Sequence, residues 1–295
     1  MTSLRRRWHE AINRVASTAL PRLLRALLRL NVYALRMSRT RGDVRVGLTS
    51  YPARIDACAA VICSLLLQTV RPSEICLHLE RAQFQHGEAS LPPDLRKLLR
   101  QWAGTTVRIE WTDVQGLASY KKLLGAWEST SSPIISIDDD TLYPPGLVAE
   151  LLRGNRVHGD DTCVGTRGKV VTGTLDAPDG YTSWPDAALT SDGRRVFLTG
   201  VGGILYPPRA LEAVRATLLA GPLVCPGADD VWFKLVALEA GVDAAVTRSR
   251  PSDFPTIGGT QTSALNVANV RGGHNDRNWL AARRHLSEER PTVHG

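Results

Sequence analysis

No run of about 18 uninterrupted apolar residues occurs anywhere in the 295-residue chain, so the sequence offers no helix that would span a bilayer. Cysteine is scarce and scattered: Cys58, Cys63, Cys76, Cys163 and Cys225 form no Cys-x-x-Cys pair and no zinc-type Cys/His spacing. An odd, dispersed set suits a reducing compartment, and the expectation is five free thiols and a cytoplasmic protein. Glycine (25) and proline (17) show no period, which excludes collagen-like and low-complexity readings. The start does not read as a secretory signal, because its arginines recur through the apolar part instead of preceding it. No internal repeat is visible.

Acidic residues are nearly missing from positions 1–41, where ten arginines meet only Glu10 and the local charge is +9. The rest of the chain sums to −2, so the overall +7 belongs to an N-terminal arm. A basic arm on a near-neutral body argues against a nucleic-acid-binding face, which would spread its charge over folded surface. From Leu4 to about Leu35 the spacing is helical, with Leu20, Leu23, Leu24, Leu27, Leu28 and Leu35 on one side and Arg22, Arg25, Arg29 and Arg36 recurring on the other. Pro21 is expected to divide this into two helices. Two uses compete for such an arm: lying on an anionic membrane surface, or docking its leucines on the main domain. The arginine excess favours the first.

The body alternates strand and helix. Strands are expected at Val44–Thr49, Glu74–Leu79, Val107–Trp111 and Pro133–Ile137, with helices at Ile55–Gln68, Pro93–Trp102 and Ser119–Glu128. This spacing predicts an α/β fold with a mostly parallel sheet, helices on both faces, and a ligand site at the carboxyl ends of the strands. The second half is less regular. A hairpin turn is expected at Asp192-Gly193, a Gly-interrupted strand at Phe197–Tyr206, and helices at Pro208–Leu219 and Asp229–Ala240. From Gly258 a loop or lid leads to a polar tail.

Ile134-Ile135-Ser136-Ile137-Asp138-Asp139-Asp140 carries the most chemistry. An apolar strand ending in three adjacent carboxylates concentrates negative charge where α/β folds bind ligands, and hard oxygen donors suit Mg²⁺ or Mn²⁺. A helix-capping turn would need one aspartate, not three. Two chemistries use such a strand end. One is sugar transfer from a nucleotide-sugar; the other is phosphoryl transfer in haloacid-dehalogenase-like phosphatases. The phosphatase pattern wants Thr or Val where Leu142 stands, which demotes it. A third reading is a non-catalytic scaffold recruited to membranes by the arm.

Five segments occur in order: Val46-Gly47-Leu48-Thr49-Ser50-Tyr51-Pro52-Ala53-Arg54-Ile55, Ser119-Tyr120-Lys121-Lys122, the Asp triplet with Tyr143-Pro144, Thr199-Gly200-Val201-Gly202-Gly203-Ile204-Leu205-Tyr206-Pro207-Pro208, and Ala228-Asp229-Asp230-Val231-Trp232. Together, over about residues 44–275, they resemble bacterial GT-A-fold glycosyltransferases related to the family-two enzymes of surface-polysaccharide synthesis. The resemblance implies a GT-A-type, Rossmann-like domain at 42–275 between the arm (1–41) and a polar tail (276–295). It implies an inverting transfer from a UDP- or GDP-linked sugar to a glycan or glycolipid at the inner membrane face. Asp138 and Asp140 match the metal-binding carboxylates, with Asp138 or Asp139 also toward the donor, although Asp139 as a neighbouring strand residue should point away. Thr49, Ser50, Tyr51 and Arg54 would meet the nucleotide. One of Lys121 and Lys122 would neutralise phosphate, the other being a solvated helix residue. Gly202 and Gly203 would admit the sugar closely. Asp230, with Asp229 as the alternative, would be the base, although an acid pair also suits a helix N-terminus. Trp184 and Trp232 are candidate acceptor platforms, and His274 a candidate further metal ligand.

Overall fold

The structure is a computed structural model, and it describes residues 15–24, 26, 40–102, 106–248, 254–258 and 273–288. Short, branched, apolar runs form seven strands: β1 (Arg45–Thr49), β2 (Glu74–Glu80), β3 (Val107–Thr112), β4 (Ile134–Ser136), β5 (Cys163–Gly165), β6 (Ile204–Tyr206) and β7 (Ala244–Val246). They make one sheet in the order β7-β5-β6-β4-β1-β2-β3. All neighbours are parallel except β6, which runs antiparallel to both β4 and β5.

Alternation along the strands divides the interior into two cores. Ile135, Ile137, Val164 and Leu205 face one, with helices α1 (Ile55–Leu66), α2 (Pro93–Trp102) and α3 (Leu147–His158). Ile134, Cys163, Ile204 and Tyr206 face the other, with α4 (Pro208–Thr217), α5 (Asp229–Glu239) and α6 (His274–Glu288). Helices therefore cover both faces of a mostly parallel sheet, the α/β architecture expected from the sequence. Helix α1 is buried except at Asp56, and its alanines and cysteines keep it slim enough to be enclosed. The five cysteines are free and buried.

Three expectations need correction. The polar tail is not a tail over residues 276–288: α6 buries Trp279, Ala282 and Leu286 in the same core as α5. Nor does Pro21 divide the arm, since residues 15–24 are all helical. Proline removes the donor for the carbonyl four residues earlier. That carbonyl, Ser17 O, instead accepts from Gly258 N–H at 3.3 Å, so the helix passes through at little cost. Leu24 is buried and Leu20 packs against the first core, while Leu23 stays exposed. Part of the leucine face is thus docked on the domain; the remainder of the arm lies outside the described residues. Third, Asp192 does form a turn, but no two-residue hairpin follows. Val196–Leu198 pairs antiparallel with the distant Gly168–Val170. Residues 259–272 of the expected lid also lie outside the described residues.

Candidate active site

Everything converges where β1 and β4 end. The Ile137 N–H bonds Gly47 O at 3.1 Å, which carries the pairing to the edge and releases Asp138, Asp139 and Asp140 there. The turn after β1 supplies Arg54, whose Nη2 lies 2.6 Å from both an Asp139 and an Asp140 carboxylate oxygen. Ser50 Oγ donates to Asp139 at 2.6 Å. Burial pushes the Asp139 carboxyl up to about 6, against the opposing pull of Arg54 and Ser50. Asp139 therefore does not point away; it forms the floor with Asp140, and both are buried. Asp138 is the more open of the three. Its N–H donates to Tyr143 Oη at 2.9 Å, and its Oδ1 lies 2.6 Å from Lys122 Nζ.

Lys122 joins the two halves of the site. Its ammonium also lies 3.4 Å from Asp229 Oδ2 across the cleft. Burial alone would lower its pKa, but Asp138, Asp229 and Asp230 together hold it well above the usual lysine range. A glycine puts the lysine here. A side chain at Gly47 would place its Cβ 1.9 Å from Lys122 O, so only glycine lets the Ala118–Leu123 turn cross β1 so closely. The turn begins at Ala118 with φ of 46°, the sole non-glycine residue with positive φ among those described. Tyr120 pins it to the second core through a 2.7 Å bond to Cys225 O.

Asp229 and Asp230 open α5. Asp229 accepts from Ser119 Oγ at 2.7 Å, while its buried Oδ2 makes no hydrogen bond. Asp230 Oδ2 accepts from Gly200 N–H at 2.8 Å. Burial, followed by the neighbouring Asp229, pushes the Asp230 carboxyl up to about 7. The glycine that admits this carboxylate is Gly200, where an added Cβ would sit 3.1 Å from Asp230 Oδ1 and 3.5 Å from Lys122 Nζ. Gly202 is instead hemmed in by Thr166 and Arg167, and Gly203 adopts φ of 75°, so both serve the local turn.

Five carboxylates thus meet two cations, Arg54 and Lys122. An excess of hard oxygen donors over cations at this strand end fits a hard dication such as Mg²⁺ or Mn²⁺. Asp138 is the accessible carboxylate that could hold such an ion, whereas Asp140 is buried against Arg54.

Of the remaining candidates, Tyr51 stays beside Arg54 at the site and the others fall elsewhere. Thr49 spends its hydroxyl on His78 O at 2.8 Å, and Tyr51 is half-buried with the Arg54 guanidinium 6.0 Å from its ring centre. Lys121 is not solvated: it is buried 3.8 Å from Glu80, and burial lowers its pKa. Neither tryptophan offers a platform. Trp232 is wholly enclosed, and Trp184 packs among Tyr181, Phe197 and Trp279. His274 is exposed at the first position of α6, and no bond among the described residues ties it to the carboxylates. The sequence reading missed Ser119, Gly200 and Gly47 as site residues, though all three stood within its ordered segments.

No family model matches this chain, and no curated protein matches it. Among solved structures it is similar to S. aureus TarS (residues 1–349) in complex with UDP, with 13% identity and a TM-score of 0.43. That match covers 72% of this chain and 59% of the other, so the chain spans less than two thirds of the TarS chain. It is also similar to CMP:2-keto-3-deoxy-manno-octonic acid synthetase complexed with CTP, with 12% identity, a TM-score of 0.43, and coverage of 80% and 99%. These likenesses are weak. The carboxylate cluster stands on its own geometry.

Proposed function

We propose that the chain is a nucleotide-sugar-dependent glycosyltransferase that inverts the transferred sugar by a single displacement. One observation carries the reading: Lys122 ties the strand-end carboxylate Asp138 to the helix-start pair Asp229–Asp230 across one cleft. A donor-side acid cluster and a separate carboxylate with a pKa near 7 are what such a reaction requires. In the reaction, Asp230 takes the proton of the acceptor hydroxyl. The acceptor oxygen bonds the anomeric carbon as its bond to the diphosphate breaks, and the nucleoside diphosphate leaves with that electron pair. Ser50, Tyr51 and Arg54 border the nucleotide, and Lys122 offers positive charge to the diphosphate. Asp138 and Asp140 would hold a divalent cation, which when bound would supply Lewis-acid stabilisation of the leaving group. The Asp229 carboxylate, fixed by Ser119, keeps Asp230 basic enough to act.

The acceptor class, a glycan or glycolipid at a membrane face, rests on the resemblance of the ordered segments, and the +9 arm fits that location because it favours an anionic surface. The test is a thermal-shift screen of UDP, GDP and CMP with and without Mn²⁺, since a ligand that binds only the native state raises its melting temperature. The expected result is a nucleotide shift that requires the cation and disappears in Asp138→Asn. Nucleotide binding indifferent to cation, or none, would overturn the proposal. Covalent trapping of an aspartate by beryllium fluoride would replace it with phosphoryl transfer.

A further inference from the structure

A second group of ligand atoms lies on the sheet between β2 and β3, outside the Asp cluster. Cys76 and His78 are two apart on β2, so both point away from the core that takes Ile75, Leu77 and Leu79. The parallel register sets Glu110 of β3 opposite His78. Cys76 Sγ is 3.8 Å from His78 Nδ1 and 3.7 Å from Glu110 Oε2, and Nδ1 is 3.6 Å from that same oxygen. Among the described residues this is the one group of three such side chains whose ligand atoms all lie within 4.8 Å of one another.

We propose that Cys76 Sγ, His78 Nδ1 and Glu110 form a binding site for a borderline transition-metal dication such as Zn²⁺. The triangle has the right size. Zinc bonds of about 2.3 Å to sulfur and about 2.0–2.1 Å to nitrogen and oxygen give tetrahedral edges of roughly 3.3–3.6 Å. Contraction of a few tenths of an ångström closes the observed triangle on an ion. The donor set is also right, because one thiolate, one imidazole and one carboxylate select zinc-like ions over the hard cations suited to the Asp cluster. Cys76 and His78 are buried, while Glu110 is about a third exposed and gives an ion its entry and a fourth, solvent position.

Charge permits it. Arg108 lies 3.1 Å from Glu110, and also holds Glu74 and Glu128, so it keeps two carboxylates when Glu110 turns to a metal. Burial and Arg108 keep the imidazole neutral, with the His78 pKa pushed down to about 3, and burial pushes the Cys76 thiol up. Binding therefore releases one proton, as Cys76 Sγ–H is exchanged for Cys76 Sγ–metal. The ion would clamp the edge strand β3 to β2.

The full chain, stripped with chelator, is titrated with Co²⁺ and followed by absorbance. The expected signal is a thiolate-to-cobalt charge-transfer band saturating at one equivalent, which the all-oxygen Asp cluster cannot produce. Zn²⁺ should displace it. Cys76→Ser should abolish the band, Cys225→Ala should keep it, and Glu110→Gln should weaken binding on the order of tenfold or more. Because Glu110 is partly exposed, that last variant decides the matter should Cys76→Ser fail to fold. Absence of a band from the folded chain, or a band unchanged in Glu110→Gln or surviving in Cys76→Ser, would overturn the proposal.

Discussion

Lys122 is the side chain whose loss should separate the two halves of the cleft. It answers Asp138 and Asp229, and no other cation stands between them among the described residues. Removing one partner of a buried pair leaves uncompensated charge and costs about 3–5 kcal/mol. Lys122→Met should therefore lower stability by about that amount in urea unfolding, and reduce sugar transfer roughly 100-fold or more. Asp230 gives a pH signature instead. The proposed transfer requires its ionised form, so kcat/KM should rise with pH through about 7 and then level off. Stability runs the opposite way. The folded pKa lies above the unfolded value of about 3.9, so the native state holds this proton more tightly. Its contribution is lost as pH climbs from about 4 through 7. Asp230→Asn should abolish transfer yet be more stable above pH 7, by on the order of 1 kcal/mol in denaturant titrations. Equal stability of the two proteins at pH 8 would show that the carboxylate is not held in a desolvated place. At this scale the sequence was partly legible. Asp138, Asp140 and Asp230 announce themselves by adjacency at element ends. Gly47 and Gly200 do not, because their value lies in which backbone or carboxylate crosses them, and that is a long-range fact. Trp184 and Trp232 misled for the converse reason: an aromatic suits a sugar and a core equally, and only packing decides.

At the scale of elements, the first half was readable because β1 to β4 and α1 to α2 keep clean periods. Pro93–Trp102 matches the expected helix end to end. The second half was harder, since β5, β6 and β7 are three residues each and their partners lie far along the chain. Helix α6 escaped notice because its sequence is polar: only Asn275, Asn278, Trp279, Ala282 and Leu286 are buried. A narrow stripe at three- and four-residue spacing sufficed, hidden among arginines. Its anchor is Trp279, wholly buried, bonded through Nε1 to Leu175 O at 2.8 Å, and 5.3 Å from Trp184 between ring centres. Trp279→Ala should cost about 3–5 kcal/mol, read as a lower denaturation midpoint. If residues 276–288 were a loosely held tail, the midpoint would not move.

For the whole molecule, the question is what the arm does once part of its leucine face is taken. Leu24 is buried and Leu20 packs on the first core, which leaves less apolar area to enter a bilayer than the full stripe implies. The ten arginines at positions 1–41 remain as the main source of attraction, and body charge of the opposite sign is small. Attachment to an anionic surface should then be electrostatic. Each basic residue near such a surface contributes about 1 kcal/mol, and the interaction decays within a Debye length of about 10 Å at 0.1 M salt and 3 Å at 1 M. The full chain should float with phosphatidylserine-containing vesicles in dilute buffer, detach as salt approaches 1 M, and ignore neutral phosphatidylcholine vesicles. Replacing Arg5, Arg6 and Arg7 together by serine leaves residues 15–24 intact and removes a third of the net arm charge. That variant should detach at distinctly lower salt while keeping its melting temperature. Flotation that persists at 1 M salt, or on neutral vesicles, would mean that leucines insert; no flotation at all would leave the arm as a packing element and remove the membrane from the acceptor argument.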